Sequence, residues 1–195
     1  NGGALPGSSS TIASSNPADY ASFSPLVEED QETMCSGAAN YARSFAAIEN
    51  GEDPNAVSYL AVSLGDGGEP IADLVKGTPH YDNVLLARGI QGMFAIDPAY
   101  KVITVVYMQG EKDAANGNDK ATYKTTLAGM QVTVEDDVQA TNGQPEPVYF
   151  LTYQTNKNTL THRDIAQAQL ELSQENDRFF MVAPIYHLPF SDPLH

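Results

Sequence analysis

Lys101-Val-Ile-Thr-Val-Val-Tyr-Met-Gln-Gly-Glu-Lys-Asp-Ala114 is the stretch around which the chain reads as organised. Five of the seven residues from Val102 to Met108 are apolar and three of these are Val, the pattern of a strand covered on both faces, as the central strands of parallel sheets are. The run stops abruptly at Gln109-Gly110-Glu111. Open α/β sheets bind ligands beyond the carboxyl ends of their strands, so polar groups directly after a buried strand are well placed for chemistry.

Upstream of it, Ala56-Val-Ser-Tyr-Leu-Ala-Val-Ser-Leu64 reads as a short buried strand ending in Gly65-Asp-Gly-Gly68, where glycine lets backbone N–H groups approach a ligand closely. Ile71 to Val75 reads as a helical turn, and Tyr81 to Ile96 as a helix with Val84, Leu85, Ala87, Ile90, Met93 and Phe94 on one apolar face. Between Glu28 and Ile48, the alanines and the spacing of Tyr41, Phe45 and Ile48 predict another helix, with Thr33 or Ser36 as its cap. Residues 1–25 are rich in Gly, Ser, Ala and Pro without periodicity, which predicts an irregular surface segment and not a core strand.

Downstream, Ala114 to Lys120 reads as a polar turn and Ala121 to Val138 as an amphipathic helix packing through Tyr123, Leu127, Met130 and Val134. Gln144-Pro-Glu-Pro147 is a stiff linker into the buried strand Val148-Tyr-Phe-Leu-Thr-Tyr153. Arg163 to Glu175 forms a helix and Phe179-Phe-Met-Val-Ala183 the last strand. Strands alternating with helices predict a right-handed parallel α/β sheet. A length of 195 residues suits one domain over 1–195.

Twenty-five acidic against ten basic residues give a formal charge of −15, which argues against nucleic-acid or anionic-membrane partners, because both require basic surface. No apolar run approaches the ~18 residues of a membrane span, and the start has no signal-peptide pattern. One cysteine, Cys35, excludes an internal disulfide framework and a multi-Cys zinc site. It reads as a small buried hydrophobe. The four histidines, at 80, 162, 187 and 195, lack zinc-ligand spacing, so no metal and no cofactor is expected. His187 reads as structural, and His80 and His162 as solvent-exposed.

Polar residues gather at three predicted strand ends: Gly65-Asp-Gly-Gly68, Gln109-Gly-Glu-Lys-Asp113 and Asp192-Pro-Leu-His195. An Asp three residues before a His can orient the imidazole, leaving its other nitrogen to activate a hydroxyl nucleophile. Gly-rich backbone and a Gln side chain can supply the donors that an acyl-transfer oxyanion needs. The bland alternatives are a surface loop for Asp192 and His195 and ordinary tight turns for the two glycine segments.

Taken together, Gly65-Asp-Gly-Gly68, Met108-Gln-Gly-Glu-Lys-Asp-Ala114 and Tyr186-His-Leu-Pro-Phe-Ser-Asp-Pro-Leu-His195 resemble the second, third and fifth blocks of SGNH (GDSL-like) hydrolases. They look most like the sialate O-acetylesterase-like carbohydrate esterases of bacteria and phage tail proteins. The similarity runs in block order from about Phe23 to His195. It implies a three-layer flavodoxin-like parallel sheet, the SGNH hydrolase fold, here incomplete, and a serine esterase acting on an acetylated carbohydrate outside the cell or on a virion. His195 is then the general base and Asp192 its partner. Gly67, Gly68 and Gln109 are the oxyanion donors, with Gly110 and Glu111 supporting the site.

The family's serine lies in a Gly-x-Ser block directly after a first hydrophobic strand, which no Gly-x-Ser here follows. Gly7-Ser8-Ser9 matches by letters alone, in a segment that reads as flexible, and Ser36 reads as a cap. The nucleophile, its strand and a closing helix are therefore expected in missing segments of the same domain, and this chain is expected to be inactive alone. The alternative is a non-catalytic carbohydrate-binding or structural module of a secreted or virion protein. A nucleotide-binding flavodoxin-like domain is a third reading, disfavoured because Glu69 and Asp73 follow the glycines and would repel phosphate.

Overall fold

In the computed structural model, residues 9–12, 23–25, 34–51, 53, 58–155 and 163–184 are described. The chain divides into two compact units, Asn1–Gly65 with Ala87–Ala99, and Asp66–Leu86 with Tyr100–His195.

The first unit holds β1 (Ser9–Ile12), β2 (Phe23–Pro25), α1 (Met34–Glu49), β3 (Tyr59–Leu60) and α2 (Gly92–Ile96). β1 is the middle strand, antiparallel to β2 and parallel to β3. The irregular segment expected over residues 1–25 therefore contains two strands. Ser-Ser-Thr-Ile has no apolar alternation to announce a strand; pairing along both edges makes it one. Ser36 lies inside α1 and not ahead of it, so it is not the cap, and Thr33 is outside the described residues. Among the described residues of the expected strand over 56–64, Tyr59–Leu60 pairs and residues 61–64 do not. Ala39 and Ala61 form a small buried cluster with Tyr59 packed against it, whereas Tyr41, Phe45 and Ile48 of α1 are exposed.

The second unit holds β4 (Thr104–Tyr107), α3 (Glu111–Asn116), α4 (Lys120–Asn142), β5 (Tyr149–Gln154), α5 (Asp164–Glu175) and β6 (Phe179–Pro184). The three strands run parallel in the order β4-β5-β6, so the α/β parallel sheet predicted from the alternation of elements is present. The central strand, however, is β5. Among the described residues β4 pairs on one side only, and Thr104 at its start and the flanking Ile103 and Met108 are exposed, which corrects the expectation of a strand covered on both faces.

Along β5, Phe150 is fully buried, with its ring centroid 5.9 Å from Tyr107 and 5.5 Å from Phe179. This aromatic row crosses all three strands and ties them through one face. Leu127, Val134 and Val138 of α4, with Ile165, Ala168 and Leu172 of α5, complete the buried core. α5 packs on β5 and β6 and against α4.

The polar turn expected from Ala114 to Lys120 is present but narrower, at residues 117–119 between α3 and α4. α3 ends at Gly117, whose φ of 71° closes it in the left-handed region. After this break, Asp119 caps α4 by accepting the Thr122 N–H at 3.0 Å. α4 then runs past its expected end to Gly143, at φ 75°. In the second unit Ile71–Asp73 is a 3-10 turn, and Tyr81–Gln91 is a π-helix that leads into α2.

Candidate active site at the end of β4

Beyond β4, Gly110 takes a φ of 138°, and a Cβ there would lie 2.9 Å from both Gln169 Nε2 and Ile165 Cγ2. Conformation and space both demand glycine. The tight passage brings Gln109, on one side of it, into a buried polar network. The Gln109 backbone carbonyl accepts from Gln169 Nε2 at 2.7 Å and from the Tyr123 hydroxyl at 3.2 Å. Its side-chain carbonyl accepts from the same hydroxyl at 3.0 Å. Its amide nitrogen donates to the Asp113 carboxylate and, at 3.1 Å, to the backbone carbonyl of Glu69.

Asp113, on the first turn of α3, has no exposed surface. One oxygen accepts from the Ile71 N–H at 2.9 Å as well as from Gln109, and the other accepts from Asn118 Nδ2 at 2.6 Å. Glu111 is half-buried and accepts from the Tyr153 hydroxyl. Gln169, also wholly buried, accepts the Thr155 N–H at 2.8 Å, so α5 supports the end of β5 as well as the turn after β4.

Three tyrosines line this network. Burial pushes the phenols of Tyr107, Tyr123 and Tyr153 far above their ordinary range, and the charge of Asp113 adds to the first and that of Glu111 to the third. They remain neutral hydroxyls at physiological pH, so Tyr123 and Tyr153 act as donors to the glutamine and the glutamate. The Tyr107 hydroxyl is buried with no hydrogen-bond partner among the described residues.

Gly67 and Gly68 directly precede Glu69, and Gly68 adopts a φ of 84°. The bond from Gln109 to the Glu69 carbonyl therefore brings the Gln-Gly-Glu turn against the backbone next to the glycine pair. Asp192 and His195 lie outside the described residues, as do His162 and His187. Ser9 stands at the amino end of β1, the opposite end from that at which parallel strands present ligand sites. Among the described residues, no group of three or more His, Cys, Asp and Glu is arranged to hold a metal ion, and no helix is long and apolar enough to cross a membrane.

Two features were not read from the sequence. His80, expected to be exposed, keeps only 14% of its side chain accessible and has Nδ1 3.8 Å from Asp66 Oδ2 in the glycine turn. Asp113 was visible as part of a polar strand-end cluster, but not as its buried centre. Its place three residues after Gly110, at the start of a helix, was the available signal.

Residues 18–185 match the family model described as carbohydrate esterase, sialic acid-specific acetylesterase. No curated protein matches the chain.

Proposed function

Because the chain belongs to the sialic acid-specific acetylesterase family of carbohydrate esterases, we propose that its second unit carries much of a site that hydrolyses acetyl esters on a glycan by serine chemistry. The three parallel strands and their helices are part of a flavodoxin-like α/β fold. A serine hydroxyl attacks the acetyl carbonyl carbon while His195 takes its proton and Asp192 orients the imidazole and balances its charge. The carbonyl oxygen becomes an oxyanion that accepts hydrogen bonds from the backbone N–H groups of Gly67 and Gly68 and from Gln109 Nε2. Collapse of the intermediate breaks the bond to the sugar oxygen, which takes the proton from His195 and leaves an acetyl-serine. Water then attacks the acetyl-serine carbonyl, giving a proton to His195, and collapse returns that proton to the serine oxygen as acetate leaves. The serine corresponds to no numbered residue in this reading.

The supporting observation is the 3.1 Å bond from Gln109 Nε2 to the carbonyl of Glu69, one residue beyond Gly68. An oxyanion is a stronger acceptor than a peptide carbonyl, so the same hydrogen can turn to it as charge develops. Gly110 and Glu111 fix the passage that presents the amide.

The test is acetate release from an acetylated glycan, or from a chromogenic acetate ester, by the parent protein that contains this chain. Gln109→Ala is expected to lower kcat by about 10²- to 10³-fold, and His195→Ala by about 10⁴-fold or more. A folded His195→Ala protein with unchanged hydrolysis would overturn the mechanism.

A further inference from the structure

Asp113 belongs to neither the glycine turn nor the Gln-Gly-Glu triplet, yet it bonds to both sides of the candidate oxyanion site. Gln109, the side-chain donor, gives it one amide hydrogen. The turn that carries Gly67 and Gly68 continues through Glu69 and Pro70 to Ile71, whose backbone N–H donates to the same Oδ2 at 2.9 Å. Asn118, just past α3, occupies the other oxygen at 2.6 Å.

A primary amide has two donor hydrogens. With one committed to Asp113, the second is directed at the Glu69 carbonyl, toward the glycine backbone. The carboxylate, together with the Tyr123 hydroxyl on the amide oxygen, thus selects the amide's orientation, and it anchors the segment that supplies the backbone donors. Without it, Gln109 could turn its amide about and present the carbonyl, which would repel an oxyanion. Ile71 would also keep a buried N–H with no acceptor, a costly state that the turn would relieve by moving.

From this geometry we infer that Asp113 is a positioning residue of the oxyanion site, registering the side-chain donor against the backbone donors; the inference rests on the esterase reading above. Asp113 touches no reacting atom. Its effect falls on the transition state, because the acetyl carbonyl acquires its full charge only there.

The experiment compares Asp113→Ala, Asp113→Asn and Asn118→Ala in the parent protein, with hydrogen exchange of the Ile71 amide measured beside steady-state hydrolysis of the acetate ester. Asp113→Ala is expected to lower kcat by about 10²-fold, the cost of a donor misplaced by roughly an ångström, with KM unchanged, and to speed Ile71 exchange more than that of core amides such as Phe150. Asp113→Asn retains an oxygen for Ile71 and Gln109, and Asn118 can reverse its amide to accept from the new NH₂. It should therefore recover most of kcat and of Ile71 protection. Asn118→Ala, which empties only the far oxygen, should lower the melting temperature and leave kcat in place.

Equal acceleration of exchange at Ile71 and at the core in both Asp113 variants, or an Asp113→Ala protein with wild-type kcat, would overturn the inference. If the wild-type parent protein hydrolyses no acetyl ester, the esterase reading falls by itself. Ile71 exchange then decides whether Asp113 registers the turn.

Discussion

Gly110 is the residue on which the site turns, because it meets two constraints at once. Its φ of 138° is strained for any L side chain, and an added Cβ would press on Gln169 and Ile165, both buried. Gly110→Ala is therefore expected to destabilise the fold by about 1–3 kcal/mol from backbone strain and overpacking, read as a lower urea midpoint with an unchanged slope. The loss should include protection of the Thr155 amide, since Gln169 holds it. The need for a glycine after a buried strand was legible in Gln109-Gly110-Glu111 as a turn. The close approach of Gln169, 59 positions later, was not, because nothing local in either segment refers to the other. Asp113 was hidden for the same reason: its donors come from residues 71, 109 and 118, and only the fold brings them to one carboxylate.

Among the elements, α4 and α5 are joined by charge as well as by packing. Glu171 of α5 accepts from Lys120 at 2.6 Å and Lys124 at 3.0 Å, and Lys124 reaches Glu175 at 2.7 Å. The bonds from Lys120 and then Lys124 hold the Glu171 carboxyl below its ordinary range. A carboxyl lowered in the folded state stabilises above its ordinary value of about 4.3, and that contribution is lost as pH falls through the lowered one. Glu171→Gln should accordingly lower the melting temperature slightly at neutral pH and low salt. The difference should shrink as pH falls through the lowered value, and also in about 1 M salt, where the screening length is about 3 Å. α1 teaches the limit of such reading. The spacing of Tyr41, Phe45 and Ile48 announces a helix correctly, but their exposure shows that periodicity tells which residues share a face and not what covers it. β1 fails in the opposite sense, since a strand made by its partners leaves no apolar pattern to find.

At the scale of the whole chain, the charge of −15 bears on the charge of the substrates that the proposed esterase would accept. A protein so acidic repels anionic ligands over a distance set by ionic strength. With a substrate that carries a free carboxylate, kcat/KM should rise as salt is added. With a neutral acetyl ester it should stay nearly flat. Equal salt dependence for the two would show that the local field at the site opposes the net charge.

Spacing along the chain carries the elements with strong local periodicity and the parallel α/β class. It also places Gln109, Gly110 and Glu111 at the carboxyl end of β4. Packing alone reveals that β5 and not β4 is central among the described strands of its sheet, that residues 9–12 pair as a strand, and that Asp113 lies buried where the turn after Gly68 meets Gln109. Strand order and the convergence of distant donors on one carboxylate are set by which segments pack together, and the order of residues records that only indirectly.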